Sequence, residues 1–340
     1  MKVLFLAAAL AAGAASPPDL LVVVNKSDDT VSILDAKSGA LRATVKTGRG
    51  PHEVEVLADG KTAAVSDYGR AGEPGHTVTL VDLDRGIAVA TVELGAGTRP
   101  HGLEALADGR LLVTAEGTKE LLVVDAKERR VTSRIPTGRE VSHMVAAPRS
   151  GARAFVASIG SGTVTAADLA QGKVAADRPT GAGAEGIDVT PDGRQVWVTN
   201  RSADTVSVLD ASSLEVLATL PAPKFPIRVK VTPDGKRALV SCAQSGDVAV
   251  FDVAARREVR RIAIDREAVP GSEARVFSDR FGKSPVPVGL LIAPDGKRAW
   301  VASTNADVVS VIDLEKLEVV GRLTAGKEPD GLSGRFAPSR

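Results

Sequence analysis

At 340 residues the chain has ample length for a core, and its 43 Lys and Arg against 42 Asp and Glu leave a net charge of +1. That balance excludes a strong global field for nucleic acid or an anionic membrane. Hydrophobic residues make up 44% and aromatics only 3%, so the core is built from Val, Leu, Ile and Ala, whose β-branched members suit pleated strands.

In chain order, Met1-Lys2, the apolar run Val3–Leu10 and the small residues Ala12–Ser16 read as a signal peptide over residues 1–16. The run is too short to cross a bilayer comfortably, and no Cys follows it as a lipid attachment point. A periplasmic or secreted protein is expected, with no membrane anchor after cleavage. Cys242 stands alone, so no intramolecular disulfide forms, and its strand-like surroundings make it a small buried residue.

From residue 17 to 340 one phrase recurs seven times: Leu21–Asp35, Ala63–Asp82, Leu112–Asp125, Phe155–Asp168, Val196–Asp210, Leu239–Asp252 and Trp300–Asp313. Asp-Gly turns at 59–60, 108–109, 192–193, 234–235 and 295–296 separate short strand-like runs and tolerate the positive φ that a tight hairpin needs. Helical periodicity is absent. Four short strands per unit of about 42–45 residues predict an all-β fold, a seven-bladed β-propeller of four-stranded blades. The first unit has three strands, Leu21–Asn25, Thr30–Asp35 and Ala40–Lys46, with no inner strand before them. The pattern Gly331–Phe336 supplies it, so the C-terminal strand is expected to dock on the N-terminal blade and close the ring, removing open edges. Asp35, Asp82, Asp125, Asp168, Asp210, Asp252 and Asp313 each end a third strand and read as Asx turns, not as a calcium series.

Val198-Thr199-Asn200, running on through Thr205–Asp210, resembles the YVTN seven-bladed propeller family in its YncE-like periplasmic type. The resemblance covers nearly the whole chain after residue 16 and implies fold more than activity. Similar propellers include uncharacterised surface proteins, cytochrome d1-haem proteins, lactonase-like enzymes and streptogramin lyases. In such propellers, the segment leading into each inner strand and the loop between the second and third strands share one face around a central channel.

Aligning the lead-ins puts His52, His101 and His143, three of only four histidines, at one phase in successive blades, with Glu185 and Asp330 at that phase on either side. If this phase faces the axis, His52, His101, His143 and Glu185 converge as ligands for a divalent transition metal (Zn, Fe, Cu or Mn). An ancestral histidine copied with its repeat and bracing the loops by hydrogen bonds is the structural alternative. A metal-free site for a polar ligand is another. Glu116, on the same face, would be a further ligand, a partner orienting an imidazole, or a general base. Tyr68, the chain's one tyrosine, would donate to a substrate. Arg49, Arg99, Arg139, Arg201 and Arg228 would make the mouth locally cationic and, with Asp330, bind a ligand. Two insertions rise on this face: Gly69–Thr77, lengthening a loop between second and third strands, and Asp265–Pro287, whose Phe277 and Phe281 would form an apolar lid or pack the insertion down.

Nucleophile elbow, P-loop, dinucleotide and haem-attachment motifs are absent. The functional expectation is an exported, monomeric propeller that binds a small ligand through a His-rich metal site, extending to a metal-dependent enzyme in which Glu116 or Glu185 handles protons. The alternative is a non-catalytic scaffold for a periplasmic protein, a cell-surface component or a d1-haem-like cofactor. Single-stranded DNA binding, suggested by resemblance to some relatives, is disfavoured by balanced charge and scarce aromatics.

Overall fold

The computed structural model describes residues 18–148, 150–264 and 278–337. The expected signal peptide and Phe277 lie outside them. The described residues form seven antiparallel sheets of four strands, arranged as the blades of a propeller. In the blade that opens the chain the order is Pro329–Arg335, Leu20–Asn25, Thr30–Asp35, Leu41–Lys46. The C-terminal strand is thus the inner strand of the first blade, pairing Leu20 with Arg335 and Val22 with Ser333, as expected from the repeat phase. No described helix is long and apolar enough to cross a membrane.

The core consists of seven seams, one between each pair of adjacent blades. A middle strand therefore packs on both faces, which is why Leu20–Asn25 is buried at every position and why these strands read as continuous apolar runs. The seventh seam exists because the ring closes: Leu332 and Phe336 join Leu21, Val23 and Trp300 there, with the Phe336 ring stacked 5.4 Å from that of Trp300.

The recurring Thr-Asn of the repeat has two separate jobs. Asn200 donates through Nδ2 to Thr205 and Ser207 at 3.0 and 2.9 Å, and Asn25 does the same to Thr30 and Ser32, clamping second strand to third. The hydroxyl one residue earlier reaches the next blade. Thr114 donates to the carbonyl of His143 at 2.6 Å, and Ser241 to that of Val288 at 2.7 Å. Between these blades the inner strands come so close that a Cβ on Gly102 would lie 2.6 Å from the His143 oxygen. Each inner strand is preceded by a left-handed residue, namely Gly50, Arg99, Val141, Gly183, Phe225, Val286 and Glu328, with φ of 53–77°. For Val and Phe that conformation is costly unless the surroundings enforce it. Here the carbonyls of Arg99, Val141, Phe225 and Val286 each accept the N–H of the first residue after the blade's second strand.

Two expectations change in detail or are settled. The 69–77 insertion is no loop: Thr62–Arg70 and Glu73–Asp82 continue as a paired hairpin past the length of the other blades, with the register slipping between Asp67 and Gly69. Tyr68 alone stands opposite Gly75 and His76 there, so the extra residue belongs to the third strand, and such a bulge bends the pair locally. The third-strand aspartates are Asx turns. Asp35, Asp82, Asp168, Asp210 and Asp313 each accept two backbone N–H groups just downstream, and Asp125 and Asp252 one.

Gly289 tests the closure. A Cβ there would overlap the carbonyl oxygen of Asp330 on the closing strand. Gly289→Ala is expected to destabilise the protein by about 1–3 kcal/mol, the usual range for overpacking, read as a lower midpoint in urea; an unchanged midpoint would mean the last and first blades are not so closely joined.

Candidate functional site

All seven residues at the shared lead-in phase, His52, His101, His143, Glu185, Ile227, Val288 and Asp330, line one cavity of about 170 Å³ at the mouth of the channel. The repeat phase therefore does point toward the axis. The left-handed residue turns the chain just before each inner strand, and the following side chain, one residue in, faces the funnel. A larger groove of about 470 Å³ lies at the seam of the last and first blades among the opposite-face turns; it gathers no comparable set of imidazoles.

The three rings pack together. His101 and His143 have centroids 3.6 Å apart, and His52 lies 5.0 Å from His101. Tyr68 is 4.2 Å from His52 and 5.3 Å from His101, with the Arg99 guanidinium 4.4 Å from its centroid. His143 donates from Nδ1 to Glu116 and faces Glu185 with Nε2 at 3.2 Å. The Tyr68 hydroxyl donates to the other Glu116 oxygen at 2.6 Å. Glu185 also receives Arg201 at 2.7 Å and Arg228 at 3.2 Å, and Arg228 reaches Glu53 at 2.5 Å. Lys26 pairs with Asp330 at 3.0 Å.

His101, Glu116 and His143 each offer a ligand atom within 4.8 Å of the others. The gathered set is not the one expected from phase alone. Among the described residues, His52 and Glu185 fall outside it and Glu116 falls inside. Glu185 is taken up by two guanidinium groups and His143, while the Nδ1 of His52 donates to the Gly50 carbonyl at 2.9 Å, leaving its lone pair on Nε2. Arg49 does not join the site, because its side chain is exposed and paired with Glu73 on the extended hairpin. Arg139 pairs with Asp177 at 3.0 Å away from the cavity, and Arg99 stands behind Tyr68. His76, the fourth histidine, is exposed near Glu93.

Residues 108–271 match the family model described as YNCE-like beta-propeller, and the seven-bladed architecture around them agrees with it. That segment is YncE-like, and the described chain as a whole is a seven-bladed β-propeller. No curated protein matches its sequence. Among solved structures it is similar to Kuenenia stuttgartiensis hydrazine synthase, at 19% identity and a TM-score of 0.69 over 83% of this chain and 88% of that one. It is also similar to a functionally unknown protein from Desulfotomaculum acetoxidans, at 14% identity and a TM-score of 0.75 over 92% and 98%. At such identities the likeness is one of fold.

The electrostatics of this funnel differ sharply from ring to ring. Burial alone lowers a histidine, and it holds His52 at about 3, helped by Lys26, and His101 well below its ordinary value. Burial acts on His143 too, but the Glu116 charge and the hydrogen bonds to Glu116 and Glu185 outweigh it and raise that group. Burial would raise Glu185, yet the His143 hydrogen bond and charge, with Arg201 and Arg228, bring it down to about 2. Glu116 is likewise held below the usual carboxylate range against burial by His143 and Tyr68. Deeper in the channel, burial pushes Glu55 up to about 7 and Glu104 to about 8, with Lys230 opposing in both.

Sequence reading missed Glu53 and the apolar residues Phe225 and Val286, all beside the cavity. A signal existed for Glu53 and Arg228. At their phase four blades carry Gly (Gly102, Gly186, Gly289 and Gly331), so two opposite charges there point to a pair across the channel. Nothing in the sequence distinguished Arg49, which projects outward.

The signs can be read by imidazole ¹⁵N NMR of metal-free protein. At pH 6 His143 is expected to carry both protons and His52 and His101 one each; a neutral His143 would contradict the carboxylate clamp. Between about pH 6.5 and 3 the unfolded chain binds more protons at His52 than the folded chain does, so its burial removes stability as pH falls through that window. His143 acts oppositely: its contribution is complete below 6.5 and is lost as pH rises through its raised value.

Proposed function

We propose that the funnel mouth binds a small ligand beside a divalent transition metal held by His101, Glu116 and His143. The carrying observation is that these three side chains meet around one point while the Nδ1 of His101, a residue only 2% exposed, is buried without a hydrogen-bond partner. An unpaired buried nitrogen costs stability unless something binds it. Two imidazoles and one carboxylate suit Zn or Fe and also accept Mn or Cu, and three protein ligands leave positions open toward the cavity. When bound, the metal would supply a Lewis-acid or oxygen-activating centre.

The chain's own residues support this set. Tyr68 fixes the orientation of Glu116 by donating to its second oxygen. Glu185 accepts the N–H of His143 on the far side of the ring and is itself steadied by Arg201 and Arg228, the carboxylate–histidine arrangement that orients a metal ligand. Glu116 and Tyr68, expected as a base and a substrate donor, then serve the metal first. The leader-like residues 1–16 support export to the periplasm or beyond, and the balanced charge supports a small molecule rather than nucleic acid as ligand.

A second reading rests on His143 standing between two carboxylates, an arrangement complete without metal if the ring keeps both protons. Metal content separates the two. Wild-type protein reconstituted with Zn²⁺ and gel-filtered is expected to retain about one equivalent by plasma mass spectrometry. His101→Ala and Glu116→Gln, checked for folding by circular dichroism, are expected to lose at least tenfold in affinity, the scale set by even outer partners of a metal, and His52→Ala to retain the metal. Absence of stoichiometric metal in wild type, or its survival in both ligand variants, would leave the metal-free reading.

A further inference from the structure

The cavity wall is divided. On one arc stand the imidazoles and Glu185; on the other the same ring phase carries Ile227 and Val288, backed by Phe225, Val286 and Phe281 as one apolar cluster. Phe281 comes from the short helix Ser278–Phe281 that ends the second insertion, and its ring meets Phe225 edge-on at 4.9 Å. Between the two arcs lie Arg201 and Arg228. Each gives one Nη1 to Glu185, and each keeps a buried Nε with no hydrogen-bond partner; Arg228 is only 6% exposed. The Arg201 guanidinium lies 5.2 Å from the Phe225 centroid and that of Arg280 lies 4.8 Å from it.

Four cations, Lys26, Arg201, Arg228 and Arg280, line the cavity with Glu185 and Asp330, and Glu53 also pairs with Arg228, which leaves one cation in excess. The imbalance calls for an anion, and planar guanidinium donors match a carboxylate. The apolar arc calls for a hydrophobic body on the same molecule, and about 170 Å³ keeps it well below the size of ligands in common pockets of roughly 300–1,000 Å³. Deepening the ligand-binding reading above, the geometry points to a small monocarboxylate with an apolar, ring-sized body: its carboxylate lies against Arg201 and Arg228 and its body against Phe225 and Phe281. A dianionic phosphate ester fits worse, because half of its surroundings would be apolar.

Benzoate, benzamide, acetate and phenyl phosphate serve as probes in isothermal titration calorimetry on the full chain, both stripped with EDTA and loaded with Zn²⁺. Benzoate is expected to bind, benzamide at least tenfold more weakly. Arg201→Gln is expected to weaken benzoate at least tenfold, and Phe281→Ala to weaken benzoate severalfold with acetate unchanged, both variants checked as folded by circular dichroism at the titration temperature. Benzamide equal to benzoate, phenyl phosphate tighter than benzoate, or no benzoate binding in either metal state overturns the inference. Zinc retention without benzoate binding removes this inference alone. Benzoate binding in a protein that never holds zinc supports it and removes the metal reading.

Discussion

The close approach of adjacent inner strands is the constraint on which the molecule rests. Hydroxyls of Thr114 and Ser241 bond the carbonyls of His143 and Val288 on the next blade, and Gly102 leaves room for that contact. These are backbone contacts of the very residues whose side chains line the funnel. A blade cannot shift without moving its neighbour's ring residue. Closure by Pro329–Arg335 extends the same contact around the circle, through Gly289 against Asp330 and Gly331 against His52. The architecture is thus a positioning device for seven side chains, and it holds whether or not they bind anything.

Within that ring, local partners decide protonation. His101 and His143 are 3.6 Å apart and both buried, yet their shifts run in opposite directions. His143 has a carboxylate at each nitrogen, and their attraction exceeds the penalty of burial. His101 has none, so burial prevails and the ring stays neutral. Removing one partner of a buried ion pair typically costs about 3–5 kcal/mol, whereas an exposed pair is worth about 0–1. The Glu116–His143–Glu185–Arg228–Glu53 chain belongs to the first kind and Arg49–Glu73 to the second. A neutral imidazole, a carboxylate and a clamped imidazole side by side form a donor set for a cation that displaces the Nδ1 proton of His143, next to guanidinium groups suited to an anion.

The fold was readable because the repeat states it seven times over, and because a strand packed on both faces must be apolar throughout, as Leu20–Asn25 is. The ring of histidines was readable because one phase of the repeat maps to one radius of the propeller. The identity of the gathered trio was not. Glu116 comes from the end of a second strand, a different phase from the histidines, and whether it or Glu185 meets His101 depends on rotamers and on Arg201 and Arg228. Tyr68 stands opposite a one-residue bulge, at the foot of an insertion whose sequence looked like a loop. The apolar arc was hidden in plain sight: Ile227 and Val288 stand at the histidine phase, where an aliphatic residue reads as ordinary core.

The most direct test of the account is anomalous diffraction from crystals of the full chain grown with Zn²⁺. A single strong peak is expected in the funnel, bonded by His101, Glu116 and His143 at about 2.0–2.2 Å, with Glu185 still on the far nitrogen of His143. A peak on His52 or Glu185 instead, or an empty funnel at full zinc occupancy elsewhere, would contradict it.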